Sequence, residues 1–183
     1  MPSLKVGVIG AGVMGRGHAE FIREFVSAAH VAAVADFDLS RSRSLAHDID
    51  PLGNVGAYAQ VQEMIDSTDL DAVIIASPDH LHVEHLRIAM TAGLDILCEK
   101  PIATDLESAR AIAREIREYE KKSKKARVSF GFMRRFDPSY LKLRALMESG
   151  DFGLPLFVRT ITRNVSSSGI TTEGLYTNIA VHD

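Results

Sequence analysis

The first 130 residues of this 183-residue sequence predict a parallel, doubly wound α/β sheet. Three observations predict it. Apolar runs alternate with segments of helical period along the chain. The interiors of those runs are apolar without strict alternation, as expected of strands covered by helices on both faces. The first run, Val6-Gly7-Val8-Ile9, leads straight into Gly10-Ala11-Gly12-Val13-Met14-Gly15, and a helix-period segment opens at once.

The elements follow in order. Lys5 to Ile9 is the first strand, and Ala19, Ile22 and Val26 mark the inward stripe of the helix after it. Val31 to Ala35 is the second strand, Val55 to Tyr58 a weak third, and Ala72 to Ala76 the fourth. A helix is expected over residues 79–92, with Gly93 as its left-handed stop, and then the strand Asp95 to Cys98. Thr104 and Glu107 form a capping-box pattern. Leu106, Ala109, Ile112, Ala113, Ile116 and Tyr119 then recur at helical spacing, before a last strand from Arg127 to Phe130. Right-handed crossovers place every loop at a strand's carboxyl end on one edge of the sheet. Residues 10–15, 36, 77–80 and 99–101 are therefore expected to converge.

Past Gly131 the alternation ends. Asp137 and Pro138 start a helix through Leu141, Leu143, Leu146 and Met147, Gly150 stops it, and Pro155 leads into a strand-like run over residues 156–163. Residues 131–183 read as the opening of a second domain, too short for a large core of its own.

Composition narrows the function classes. Hydrophobic residues make up 46% and charged residues 25%, the balance of a soluble globular protein. A net charge of -3 gives no broad attraction to nucleic acid or an anionic membrane. The basic run over residues 121–127 falls where a helix should end and interacts favourably with its dipole. Cys98 has no partner for an intramolecular disulfide and reads as a small buried apolar group. No apolar run approaches the roughly 18 residues of a membrane span, and no leader pattern opens the chain, so a cytoplasmic location is expected.

The glycine loop carries the first chemistry. Gly10 permits the tight turn, Gly12 lets the backbone approach a pyrophosphate, and Gly15 lets helix and strand pack closely. Val13 and Met14 supply amides at the helix N-terminus, where an anion is favoured. Alone, the pattern also fits a structural turn or another nucleotide ligand. Asp36 strengthens the dinucleotide reading, since it ends the second strand 21 positions after Gly15, where a carboxylate can accept from both ribose hydroxyls and repel a 2′-phosphate. That favours NAD, while Arg41 and Arg43 keep NADP open by offering a phosphate cradle if the loop folds back. Asp38 and Ser40 offer caps for the following helix. Among His80, His82 and His85 no metal set is expected, with a cap or cofactor-adjacent role for His80 and surface roles for the other two.

Three further segments carry a resemblance: Ser77-Pro78-Asp79-His80, Glu99-Lys100-Pro101, and Gly131-Phe132-Met133-Arg134-Arg135-Phe136-Asp137-Pro138. With the glycine loop they make the chain resemble the glucose-fructose oxidoreductase/inositol dehydrogenase (Gfo/Idh/MocA) family, and the last segment looks most like inositol dehydrogenases. The resemblance implies a Rossmann domain over residues 1–130. It implies that residues 131–183 begin a substrate and oligomerisation domain, α+β with an open antiparallel sheet. By the same resemblance Lys100 and His182 are the catalytic lysine and histidine, with Asn178 where the family has an aspartate. Arg134 and Asn164 are expected to contact substrate hydroxyls. Ser77, Pro78, His80, Glu99 and Lys100 join the glycine loop and Asp36 in the expected cofactor site.

The resemblance therefore implies hydride transfer between NAD, or NADP, and a secondary alcohol carbon of a cyclic polyol or sugar, while exposed edges and apolar surface in the incomplete second domain predict self-association as a homo-oligomer. His182 is expected to take the hydroxyl proton and Lys100 to stabilise the developing alkoxide. Asn178 can orient a hydroxyl or imidazole but cannot stabilise an imidazolium by opposite charge. Because the family's second domain continues well beyond this length, the sequence is expected to be a fragment of a longer enzyme or to need a partner chain. The competing expectation is a non-catalytic or partner-dependent dinucleotide-binding fragment.

Overall fold

A computed structural model describes residues 3–122, 127–151, 153–159 and 161. The chain divides into two compact units, Met1–Phe130 and Gly131–Asp183.

The first unit is built on one six-stranded sheet in the order β3-β2-β1-β4-β5-β6. The strands are β1 (Leu4–Ile9), β2 (Ala29–Ala35), β3 (Gly56–Tyr58), β4 (Ala72–Ile75), β5 (Asp95–Cys98) and β6 (Val128–Phe130). All neighbouring strands pair in parallel. The helices are α1 (Val13–Phe25), α2 (Leu39–Ile49), α3 (Val61–Ser67), α4 (His82–Thr91) and α5 (Leu106–Lys122), with a 3-10 turn at Asp79–Leu81 leading into α4. The strand order grows outward from β1 in one direction and from β4 in the other, so the loops after these two strands diverge and leave a crevice between them.

Both faces of the sheet are covered, and side-chain alternation along each strand divides the core in two. On one face Ile9, Val73, Ile75, Ile96 and Cys98 pack with Met64 of α3, Leu86 and Ala89 of α4, and Ile112 and Ile116 of α5. On the other, Val6, Val8, Val31, Val34 and Ile74 pack with Ala19 and Ile22 of α1 and Leu45 and Ala46 of α2. Burying one such aliphatic side chain contributes about 1.5–3 kcal/mol, and this double core holds the sheet edge that carries the site.

One helix start differs from the sequence pattern. Asp105, not Thr104, caps α5: its Oδ1 accepts from the Ser108 backbone N–H at 2.8 Å. The helix begins at Leu106, one residue later than a Thr104–Glu107 box requires, so the cap falls to the carboxylate beside it.

In the second unit, a 3-10 turn at Met133–Arg135 precedes α6 (Pro138–Glu148). Asp137 caps this helix, accepting from the Ser139 N–H at 2.8 Å and the Tyr140 N–H at 3.3 Å, with Pro138 in the first turn. Helix α6 has no buried residue. The strand expected over residues 156–163 is not formed at its described residues, 156–159 and 161. A strand needs a neighbour to pair with, and among the described residues of this unit there is none.

Candidate functional site

Every loop at the crevice begins with a backbone bond to the adjacent strand. Gly10 N–H donates to Ala35 O at 2.7 Å, Asp36 N–H to Tyr58 O at 3.1 Å, Ala76 N–H to Ile9 O at 2.8 Å, and Glu99 N–H to Ile75 O at 2.8 Å. The parallel ladder thus carries the ends of β1, β2, β4 and β5 to the same level. Gly10, Asp36, Ser77 and Glu99 leave the sheet side by side, as the order of strands and crossovers predicts.

Backbone geometry shapes the first loop. Gly10 sits at φ +99°, and a Cβ there would lie 2.5 Å from Ala76 O. A Cβ on Gly15 would lie 1.8 Å from Gly10 O, so the helix meets the loop at a distance only glycine allows. Gly12 is different, because a Cβ there would meet nothing within 4 Å. The space over it is open, no side chain caps α1, and its first turn has no acidic residue. Uncapped amides at the positive end of the helix dipole fit the pyrophosphate of a dinucleotide. Val13 and Met14 are exposed at this helix start.

Asp36 is 8% exposed, and both of its carboxylate oxygens hold backbone. Oδ2 accepts from the Ala11 N–H at 2.8 Å and Oδ1 from the Asp38 N–H at 3.0 Å. The carboxylate braces the glycine loop from the end of β2 while each oxygen keeps a lone pair for a ligand hydroxyl. Nearby, Arg41 Nε lies 3.6 Å from the capping Asp38 Oδ2, and Arg43 is exposed. A cleft of about 280 Å³ opens beside Asp36, with Gly10, Ser77 and His85 supplying polar edges and Val61, Leu81 and Ile88 an apolar wall. A flat ring with polar edges suits that lining.

The other side of the crevice is held by side chains. Glu99 is 8% exposed, and its Oε1 lies 2.8 Å from His18 Nε2 of α1. Its Oε2 accepts from the Lys100 N–H at 3.3 Å. The His18 hydrogen bond holds the Glu99 carboxyl below its ordinary range against the opposing effect of burial, and the charge of His18 and the Lys100 amide and ammonium add to it. Cys98, fully buried beneath this turn, has its thiol pushed up to about 12 by burial and by the Glu99 charge. It stays neutral and unreactive there.

Two histidines expected at the surface are buried. His82 is 1% exposed and His85 9%. They belong to a helical stripe, His82, His85, Leu86 and Ala89, which turns both imidazoles inward and which their polarity hides in the sequence. His85 Nδ1 lies 2.8 Å from Ser77 Oγ, and burial lowers the imidazole's pKa, so the ring is neutral at pH 7. His82 Nδ1 lies 2.7 Å from Pro101 O, and its Nε2 lies 2.9 Å from Ser77 O. His80 is exposed in the 3-10 turn with Pro78 just before it.

Of the expected site residues, Gly10, Gly12, Asp36, Ser77, Pro78, Glu99 and Lys100 lie in the loops along this edge, Val13, Met14 and Gly15 in the first turn of α1, and His80 in the 3-10 turn before α4. Arg134, in the second unit, has its guanidinium carbon 5.3 Å from the centroid of the Tyr140 ring. Asn164, Asn178 and His182 lie outside the described residues. Among the described residues, no group of three or more His, Cys, Asp or Glu is placed to hold a metal ion, and no helix is long and apolar enough to cross a membrane.

Known proteins share this architecture. The description "Oxidoreductase family, NAD-binding Rossmann fold" matches residues 4–129. The inositol 2-dehydrogenase of Corynebacterium glutamicum is 41% identical over 182 residues, which is 99% of this chain and 52% of that protein. The inositol 2-dehydrogenase of Leifsonia xyli is 39% identical over 183 residues, 100% of this chain and 52% of that one. The chain thus spans about half the length of the curated relatives it matches. The crystal structure of myo-inositol dehydrogenase from Lactobacillus casei with NAD(H) and myo-inositol superposes with a TM-score of 0.75 at 32% identity, covering 84% of this chain and 44% of that one. Scyllo-inositol dehydrogenase from the same organism, with NAD(H) and scyllo-inositol, gives 0.74 at 28% identity, covering 82% and 42%.

Proposed function

The chain belongs to the Gfo/Idh/MocA oxidoreductase family with the NAD-binding Rossmann fold, and from that premise we propose that it is the cofactor-binding part of an NAD-dependent dehydrogenase acting on a secondary alcohol of a cyclic polyol of the inositol type. One observation carries the reading. The glycine loop, the Asp36 carboxylate and the turn bearing Lys100 stand side by side along one edge of a parallel sheet, at the point where its strand order reverses. When bound, NAD supplies the hydride acceptor.

The residues divide the remaining work. The open space over Gly12 and the first turn of α1 seat the pyrophosphate, and Asp36 accepts from the ribose hydroxyls while holding Ala11 in place. A 2′-phosphate would meet the same carboxylate, which favours NAD over NADP. The Lys100 ammonium stabilises negative charge on the substrate oxygen as its proton leaves. His182 takes that proton near neutral pH, oriented by Asn178, whose neutral amide makes the imidazolium less stable than the family's aspartate would. Arg134 and Asn164 contact other hydroxyls of the substrate. In this reading residues 1–130 form the cofactor domain, and residues 131–183 belong to a substrate and oligomerisation domain of a cytoplasmic homo-oligomer.

The test is a titration with NAD followed by a turnover screen on inositols and related polyols, using the longest active form of the protein. Lys100→Ala is expected to lower turnover by about 10²–10³-fold while sparing NAD affinity. Near-normal turnover in that variant would overturn the assignment of Lys100. NAD binding with no turnover on any polyol would favour a dinucleotide-binding module without catalysis.

A further inference from the structure

His82 is almost wholly buried, takes no part in the proposed chemistry, and joins two loops of the crevice. Its Nδ1 lies 2.7 Å from the carbonyl of Pro101, directly after Lys100, and its Nε2 lies 2.9 Å from the carbonyl of Ser77, at the end of β4. Both partners are backbone oxygens, which only accept. A neutral imidazole has one N–H, so it can satisfy one of these carbonyls while turning a lone pair on the other. At separations this short, two facing lone pairs repel, and a ring that is 1% exposed is shielded from bulk solvent.

We propose that His82 is a positioning residue for Lys100, donating from both ring nitrogens to clamp the Glu99-Lys100-Pro101 turn onto the loop after β4. The inference rests on the proposed role of Lys100. Two charge-assisted hydrogen bonds to carbonyls offset part of the cost of a buried cation. The titratable groups next to it in the chain are His80, Glu84 and His85, and Glu99 and Lys100 lie on the turn whose Pro101 carbonyl it meets. On the far side of that turn His18 grips Glu99, so the segment carrying Lys100 is held between two imidazoles from α1 and α4. Such a turn cannot rock without breaking a buried hydrogen bond. That is the stiffness a group needs when it must meet a reacting oxygen at close range.

Nitrogen-15 spectra of the imidazoles in the 183-residue chain at neutral pH test the clamp directly, with the His82 signals identified by their loss in His82→Gln. Both nitrogens of His82 are expected to carry a proton, and a ring with one bare nitrogen would overturn the double donation. In His82→Gln the backbone amide signals of Glu99 and Lys100 are expected to shift while those of Gly10 to Gly15 hold, and NAD affinity should stay within about twofold of the parent. A shift confined to α4 would overturn the positioning role. In an active form, the same variant is expected to lower kcat about tenfold or more with KM for NAD unchanged, and an unchanged kcat would overturn the link to turnover. Loss of the Lys100 assignment through Lys100→Ala would remove the catalytic reading yet leave the spectra to decide the clamp, so the two failures are told apart.

Discussion

The two sides of the crevice are built by different means. On the cofactor side the chain is shaped by what is missing: Gly10 adopts a left-handed φ, Gly15 approaches the Gly10 carbonyl, and Gly12 leaves its surface bare. One carboxylate, Asp36, braces that loop through a backbone amide. On the Lys100 side there is no glycine from Cys98 to Pro101, and the turn is held by side chains reaching across the fold, His18 from α1 to Glu99 and His82 from α4 to Pro101. Rigidity that comes from backbone sterics is local and needs only the right residue at one position. Rigidity that comes from buried side-chain hydrogen bonds needs several elements docked correctly at once.

The sharpest way to break this comparison is Gly15→Ala. A Cβ 1.8 Å from Gly10 O forces the backbone itself to move, at a cost of about 3 kcal/mol with loss of NAD binding. Thermal unfolding and an NAD titration read both effects, and an unchanged midpoint with intact affinity would show that the loop is not set by this contact. Asp36→Ala comes next. It strands the Ala11 and Asp38 amides in a largely buried site, for about 2 kcal/mol, and it removes the bias against a 2′-phosphate. Denaturant unfolding should show the lost stability, and affinity for NAD relative to NADP should fall.

Glu99→Gln probes the other side more gently. The amide keeps one acceptor, so the expected loss is about 1 kcal/mol. Its signature is in pH. The Glu99 carboxyl lies below its ordinary value of 4.5 in the folded chain, so the stability it contributes is fully present above that value and is lost as the pH falls through the lowered one. His85 adds to the acid loss, since its lowered pKa means that the unfolded chain binds the proton first as the pH drops below 6.5. Unfolding midpoints should therefore fall in the parent as the pH drops below 6.5, and the part of the fall that lies below pH 4.5 should be smaller in Glu99→Gln. Identical slopes would show that Glu99 is not held by charge. The smallest effect concerns Cys98: with its thiol pushed up to about 12, it should resist alkylation at pH 8 in the folded chain and react at once in denaturant. Ready labelling of the folded form would mean that the floor under Lys100 opens.

The two units differ in how much of their structure the sequence foretells. In the first, the six strands lie within a residue or two of the positions that apolar runs indicate, because strands buried on both faces must be apolar throughout. In the second, Asp137, Pro138 and Gly150 mark the ends of α6, since capping is a local matter of amides and side-chain oxygens. The strand expected after Pro155 does not form in its described residues, because pairing depends on a neighbour that local pattern cannot supply. The histidines that follow β4 show the same limit. A surface role for His82 and His85 fits their polarity, but the helical stripe that holds them carries both inward.

What the sequence determined by itself is whatever acts over a few residues or repeats with a fixed period: the strand-turn-helix of the glycine loop, the parallel doubly wound sheet, and the acid at the end of β2. Only the tertiary structure decided which side chains hold the Lys100 turn. His18 and Glu99 lie 81 positions apart, and His82 and Pro101 lie 19 apart. Hydrogen bonds across such separations exist only after helices α1 and α4 have docked on opposite faces of one sheet, and burial then makes each of them count.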